Sequence, residues 1–449
     1  MTAERLSALD ASFLAVEGPR SPMHVGWVAA LDPPERGRRP SFDELLAHIA
    51  GRMGRAPRYR QRLADVPLGV HDPVWVDDAS FDPARHLLSA DGTDLDAIVD
   101  AALSVPLPRD RPLWQITVAD GLEDGQVAMI GKMHHCMVDG AAIAELGNLL
   151  LDPEPGGREL ADAGWTPAPA PTPGARLGRA IADRIGDTAA LAAAPVRLAS
   201  PSRMARAARR ARTLSHIALP PARSSVLNQP GSARRHHVRV TRSLGELRAV
   251  RRRFSVTPND VVLAACAGAL RRFFERRGEV AAPLKVMVPA DVRSSDDDAA
   301  TGNRISFVFV ELPCDEPDPV VRLRRIGAAT ARRRGDGDAD DLDAAFRLLA
   351  RTPGPFQHAL AHAFAHPRLF NLTISSVPGP AVPRYMRGCR LREVWSAVPL
   401  ADRHGVSIGA VTVAGNACLS LYADASTVPD ADLLGADLDA AVDELVALT

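Results

Sequence analysis

The stretch Met133-His134-His135-Cys136-Met137-Val138-Asp139-Gly140 holds two adjacent imidazoles, a carboxylate four residues after the second, and a glycine. Neutral imidazole accepts a proton near pH 7, so a histidine held at a strand end can take the proton of a hydroxyl or thiol attacking an activated acyl group. We assign that base to His135. Asp139 cannot easily reach the same ring if the chain turns between them, so its expected role is to pair with an arginine, Arg293 or Arg304, and fix the turn. Gly140 permits a backbone angle or close approach that a side chain would block. His134 alternates to the other face of an extended segment and is expected to be structural. The competing reading is a pair of satisfied histidines at a strand end.

The surrounding sequence supplies elements to hold this motif. The apolar run Gln126 to Ile130 predicts a buried strand, and Ala141 to Leu146 predicts a helix after the motif. A turn at Gly121 to Gly125 joins that strand to an earlier one beginning at Trp114, a large aromatic whose expected place is the core. Upstream, Leu6 to Val16 reads as a short helix and Val25 to Leu31 alternates as a strand. Ser41 and Glu44 have the spacing of a capping box before a helix buried on Leu45, Leu46, Ile49 and Met53. Asp94 to Ser104 reads as another helix. The basic block Arg58 to Arg62 is either a solvated turn or a contact for a phosphorylated cofactor.

Proline-rich sequence from Asp152 to Gly174 reads as an extended linker. It leads into an alanine- and arginine-rich stretch, roughly 175 to 219, in which Met204, Ala207, Ala211 and Leu214 share one helical face and Arg203, Arg206, Arg209 and Arg210 the other. That element either lies on an anionic membrane or lipid droplet surface or bridges two domains. A second α/β pattern runs from Arg234. In it Thr257 caps a long apolar helix whose first turn holds Asn259 and Asp260, with capping as their expected role. Asn303 precedes a strand at Phe307 to Leu312. Ser375 and Ser376 precede Val377-Pro378-Gly379-Pro380 at the end of another, and a hairpin turns at Gly415-Asn416. The division is therefore 1–151, a linker 152–233, and 234–449.

Composition bounds the rest. The 449 residues are 46% hydrophobic and 24% charged with no net charge, ordinary for a globular protein and without the basic excess that a nucleic acid partner would require. The five cysteines are scattered without metal spacing, which points to a reducing cytoplasm and no metal. No apolar run is long enough to cross a bilayer and no signal-peptide pattern opens the chain. The acidic run Asp336 to Asp340 lacks the glycine and bidentate acid of a calcium loop and reads as a solvated loop.

HHxxxDG marks the acyltransferases built like chloramphenicol acetyltransferase, and the order of further blocks resembles the bacterial wax ester synthase/diacylglycerol acyltransferases. These blocks are Leu6 to Leu14, Pro22-Met23-His24-Val25-Gly26, Pro112-Leu113-Trp114, Asn259-Asp260-Val261-Val262-Leu263-Ala264 and Val377 to Pro380. The resemblance implies two chloramphenicol acetyltransferase-like α/β sandwich domains with the active site at their interface. It also implies acyl-CoA as substrate with no bound cofactor and diacylglycerol or a fatty alcohol as acceptor; the expected location is the cytoplasm, with the arginine-rich helix offering peripheral contact at the inner membrane face or lipid droplets as one alternative. Ser375 matches the serine that donates to the oxyanion in chloramphenicol acetyltransferases, and Ser376 stands where the lipid-synthesising family often has asparagine. Asn259, Asp260, Trp114, Asn303 and Ser376 are candidates for substrate contact or structure. Two other readings are a same-fold acyltransferase with a polyketide alcohol or carrier-bound acceptor, and a non-catalytic lipid-surface protein.

Overall fold

Two long apolar strands, one before the histidines and one before the serines, end up as inner strands of two separate sheets. The computed structural model describes residues 3–449 other than 36, 54, 123–124, 138–145, 158–163, 194–199, 292–304 and 350, and only the backbone of 203, 291 and 305. The first half supplies β1 (Glu4–Arg5), α1 (Ala8–Ala15), β2 (His24–Asp32), α2 (Phe42–Met53), β3 (Gln61–Ala64), β4 (Val74–Asp77), β5 (Leu87–Ala90), α3 (Leu95–Ser104), β6 (Trp114–Ala119) and β7 (Val127–His134). Next come α4 (Pro173–Ala192) and α5 (Pro201–Ala218). The second half adds β8 (Arg235–Ser243), α6 (Leu244–Phe254), α7 (Pro258–Arg276), β9 (Leu284–Asp291), β10 (Ile305–Leu312), α8 (Pro319–Asp336), α9 (Asp338–Leu349) and α10 (Gly354–Phe364). It closes with β11 (Leu372–Pro378), β12 (Tyr385–Met386), β13 (Cys389–Ala397), β14 (Val406–Val413), β15 (Asn416–Asp424) and α11 (Ala431–Val446).

Local sequence sets these boundaries. Ser41 and Glu44 satisfy each other's backbone N–H groups at the start of α2, and Thr257 and Asp260 do the same for α7 with Pro258 in its first turn. Behind that cap, Val261 to Leu270 is buried without interruption, because α7 is covered by α8, α11 and a sheet. Asp94 caps α3 by accepting from the N–H groups of Asp96 and Ala97.

The first sheet runs β12-β13-β2-β7-β6-β5 and the second β10-β9-β11-β14-β15-β8, with β1-β4-β3 as a small third sheet. β13 comes from the second half of the chain yet pairs antiparallel with β2, setting Ser396 opposite Trp27. In the second sheet β11 lies parallel to β14, setting Ser375 opposite Gly409. Alternation decides what each face of β14 meets: Val406, Ile408 and Ala410 pack with α7 and α11, whereas Val411 and Val413 join the first half's core around Trp27, Met129 and Leu391. The two sheets thus share an apolar seam along β13 and β14. The mixed α/β architecture with two sheet-bearing halves is the expected one.

On α5 the face of Met204 and Leu214 is left open, 60% and 41% exposed; the helix packs instead through Thr213 and Ile217, and Arg209 forks onto Asp341 at 2.9 Å. Two expectations are corrected. The acidic run is not a solvated loop: Gly337 ends α8 at a left-handed φ of 70°, and Asp338 opens α9. Acids there complement the first turn, and Asp341 is buried against Arg209 and Thr213. The basic block is not a solvated turn, since Arg58 stacks over Trp75 and Arg60 over Trp165 at 4.6 and 4.5 Å.

Candidate active site

β7 is buried along its whole length and ends with His134 registered opposite His24 of β2. The pairing continues one step further, where the His135 N–H donates to the Met23 carbonyl at 2.9 Å. Met23 adopts a left-handed φ of 50° at this point, a strained angle for a side chain of its size. Alternation then separates the two imidazoles. His134 turns inward and is 1% exposed; its Nδ1 accepts from the Cys136 N–H at 3.1 Å and its Nε2 lies 3.8 Å from Glu17 Oε1. Burial pushes its pKa well below the ordinary value, with the positive charge of Arg109 adding to the effect, so His134 is neutral. Glu17 and Arg109 form an ion pair beside it. His24 is held near 3 by burial and by Lys132 and Arg235.

His135 turns the other way. Its ring is half-buried, stacks on Phe13 of α1 with centroids 3.9 Å apart and planes 14° apart, and forms part of a cavity wall. That cavity has a volume of about 550 Å³ and draws its lining from both halves of the molecule. Trp27 is part of its wall, and Gly131 makes room for the indole, since a Cβ at that glycine would lie 2.2 Å from Trp27 Cε2. Met129, Leu391, Val394, Val411 and Val413 extend the apolar surface.

Ser375 and Ser376 both reach this cavity. Ser375 shares the β11 face of Thr373, also in the lining, and is half-buried. Ser376 shares the face of Leu372 and Ile374, which pack into the second half's core, but stands beyond that core and is exposed. A third serine, Ser396, lines the same cavity and did not emerge from the sequence. Its Oγ lies 2.0 Å from where a Cβ on Gly409 would be, so the glycine opposite Ser375 makes space for the Ser396 hydroxyl. A glycine inside a strand was the available signal.

The other nominated residues fall elsewhere. Trp114 is buried outside the lining, with its Nε1–H donating to the Tyr59 carbonyl at 2.7 Å. Asp260 accepts from the Thr257 N–H and the Thr330 hydroxyl, and Asn259 sits beside it in the first turn of α7, away from the cavity. Asp139, Gly140, Arg293, Asn303 and Arg304 lie outside the described residues. Among the described residues no group of three or more His, Cys, Asp or Glu side chains could hold a metal ion.

Residues 6–262 match the wax ester synthase/diacylglycerol acyltransferase catalytic domain, and residues 301–446 match the C-terminal domain of the same proteins. The chain belongs to this family. It is 31% identical to the probable diacylglycerol O-acyltransferase tgs1 of Mycobacterium tuberculosis, over 99% of this chain and 96% of that one. Identity to tgs2 of the same organism is also 31%, covering 97% of each. The wax ester synthase/diacylglycerol acyltransferase from Marinobacter aquaeolei VT8 superposes over 99% of this chain and 98% of its own, with a TM-score of 0.71 at 23% identity. The first condensation domain of the CDA synthetase shares the fold, with a TM-score of 0.60 at 16% identity over 98% and 97% of the two chains. The protein is therefore an acyltransferase. Within the acyltransferase, the HHxxxDG strand ends at a two-sheet cavity that also holds the serine strand.

Proposed function

We propose that the enzyme moves a long-chain fatty acyl group from acyl-CoA to the hydroxyl of diacylglycerol, giving a triacylglycerol, or of a long-chain alcohol, giving a wax ester. One juxtaposition carries this reading: His135 opens onto an apolar cavity of about 550 Å³ whose wall from the second sheet bears Ser375. The imidazole takes the hydroxyl proton as the acceptor oxygen attacks the thioester carbonyl. Ser375 donates to the tetrahedral oxyanion, with Ser396 beside it. Collapse expels the CoA thiolate, which recovers the proton from the imidazolium. Acyl-CoA is a substrate in this scheme, and no resident cofactor, metal or acyl-enzyme takes part. His134, neutral and locked, buttresses the end of β7.

An acceptor of this kind sits in a membrane or droplet. Among the described residues no helix is long and apolar enough to cross a bilayer. Ile185 of α4 and Met204 of α5 are 66% and 60% exposed on helices rich in arginine, a combination suited to peripheral docking on an anionic lipid surface.

The deciding experiment measures CoA release from palmitoyl-CoA with diacylglycerol or a long-chain alcohol, beside a folded His135→Ala variant. Turnover that vanishes in the variant supports the reading and ranks the acceptors. Folded protein that releases no CoA with either acceptor overturns it, and turnover only with carrier-bound donors would move the enzyme to another substrate class.

A further inference from the structure

The cavity lining is apolar or neutral at nearly every described position, with Arg384 as its one permanently charged side chain. Arg384 lies between the end of β11 and β12, where the chain leaves the second sheet to join the first. Its surroundings fix the backbone firmly. The Leu391 N–H donates to the Arg384 carbonyl at 2.8 Å, and the next residue, Tyr385, exchanges backbone hydrogen bonds with Asp152 at 2.7 and 2.8 Å.

The guanidinium itself is incompletely satisfied. Nη2 donates to Asn148 Oδ1 at 3.2 Å, a neutral acceptor on the exposed side of the cavity, while Nε is buried with no partner. Among the described residues no carboxylate lies within ion-pair distance of it. Asp152, which bridges to the neighbouring backbone, is engaged instead by Arg52 at 2.7 Å in a buried pair. A half-buried cation with one donor enclosed and unpaired against an apolar wall gains when an anion meets it, and a guanidinium offers its donors in the planar fork that suits a phosphate or a carboxylate.

We propose that Arg384, steadied by Asn148, is an anion-recognition site at the mouth of the cavity that binds the oxyanion of a lipid-like ligand. This rests on the reading of the cavity as the acyl-transfer site. The oxyanion has two sources in that chemistry: a phosphate of the CoA portion of the donor, or the carboxylate of a free fatty acid occupying the same cavity. Both would place an apolar chain along the interior wall and the charge at Arg384.

The test is direct binding, measured by calorimetry without turnover. Wild-type protein, Arg384→Gln and Arg384→Lys are titrated with CoA, palmitoyl-CoA, palmitoyl-pantetheine, which lacks phosphate, and palmitate. Loss of a charge-assisted hydrogen bond predicts weakening by about tenfold or more in Arg384→Gln, with partial recovery in Arg384→Lys. Weakened CoA and palmitoyl-CoA with unchanged palmitoyl-pantetheine supports the proposal and names the phosphate. Weakened palmitate with unchanged CoA supports it and names the carboxylate. Equal affinities of variant and wild type for all four probes overturn it. Should Arg384→Gln fail to fold, wild-type protein alone decides. Preference for palmitoyl-CoA over palmitoyl-pantetheine, or for palmitate over hexadecanol, supports an anion site; neither preference overturns it. A wild type that binds these anions but releases no CoA would sink the proposed reaction and leave the site standing.

Discussion

The chain carries two His-His pairs on strands, His134–His135 leaving β7 and His236–His237 entering β8, and they behave differently. In each, alternation buries one ring. His134 is locked by the Cys136 N–H, and His237, fully buried and held near 3 by desolvation, hydrogen-bonds the Ser396 carbonyl at 3.1 Å. The other ring decides the role. His236 meets two carboxylates, Asp100 of α3 at 2.6 Å and Asp432 of α11 at 3.1 Å, whereas His135 meets the face of Phe13 and an apolar cavity. Burial lowers the His236 pKa, but the two carboxylate hydrogen bonds outweigh it and raise the value overall. The same dipeptide thus gives a clamp onto two carboxylates from the two halves in one place and a ring facing an apolar cavity in the other. Sequence type alone does not separate these outcomes; what the outward ring touches does.

The sharpest way to break this contrast is to truncate both outward rings. His135→Ala is expected to lower kcat by about a hundred- to ten-thousand-fold with its thermal midpoint retained, while His236→Ala keeps wild-type turnover and melts earlier; steady-state kinetics beside thermal unfolding checks both. Equal effects on turnover would erase the distinction. Next in size, Ser375→Ala should cost about a hundred- to a thousand-fold in CoA release if the hydroxyl stabilises the oxyanion; near-normal rates would return the serine to a packing role. The buried partner His237 gives a smaller and different readout. His237→Ala leaves the Ser396 carbonyl without that donor and should lower unfolding free energy by about 1–3 kcal/mol in urea titration.

The smallest effect is a pH dependence. Because the His236 pKa is raised in the folded state, its stabilisation is fully present below the ordinary 6.5 and is lost as pH rises through the folded value. Asp100 is also raised, chiefly by burial with His236 opposing, and so contributes in the same direction at lower pH. The melting-temperature gap between wild type and His236→Asn should therefore narrow as the pH is raised from below 6.5. A gap independent of pH would show that the clamp acts without its charge.

Much of this was readable before any coordinates. The caps at Ser41 and Thr257, the hairpin delivering His135, the core place of Trp114 and the inward turn of His134 all follow from interactions within a few residues or one strand pair. What could not be read depends on contacts between distant segments. Nothing local announces that Phe13 will lie on His135, that Asp341 will receive Arg209, or that β13 will leave its own half and set Ser396 against Gly409. The period of two identified the Ser375 strand, but the faces of Ser375 and Ser376 became distinguishable only once the core under Ile374 was in place.

The placement of β13 also bears on how the molecule is made. β2 is paired with β7 on one side and with β13 on the other, so a nascent chain that has emerged only through its first half presents β2 as an open edge lined by Trp27, Val28, Ala29 and Ala30. That edge waits for residues 389–397, which lie far later in the sequence. The first sheet therefore cannot finish during its own synthesis, and separately expressed halves would each lack a wall of the cavity. Until those residues arrive, this apolar strand is open to pairing with other chains.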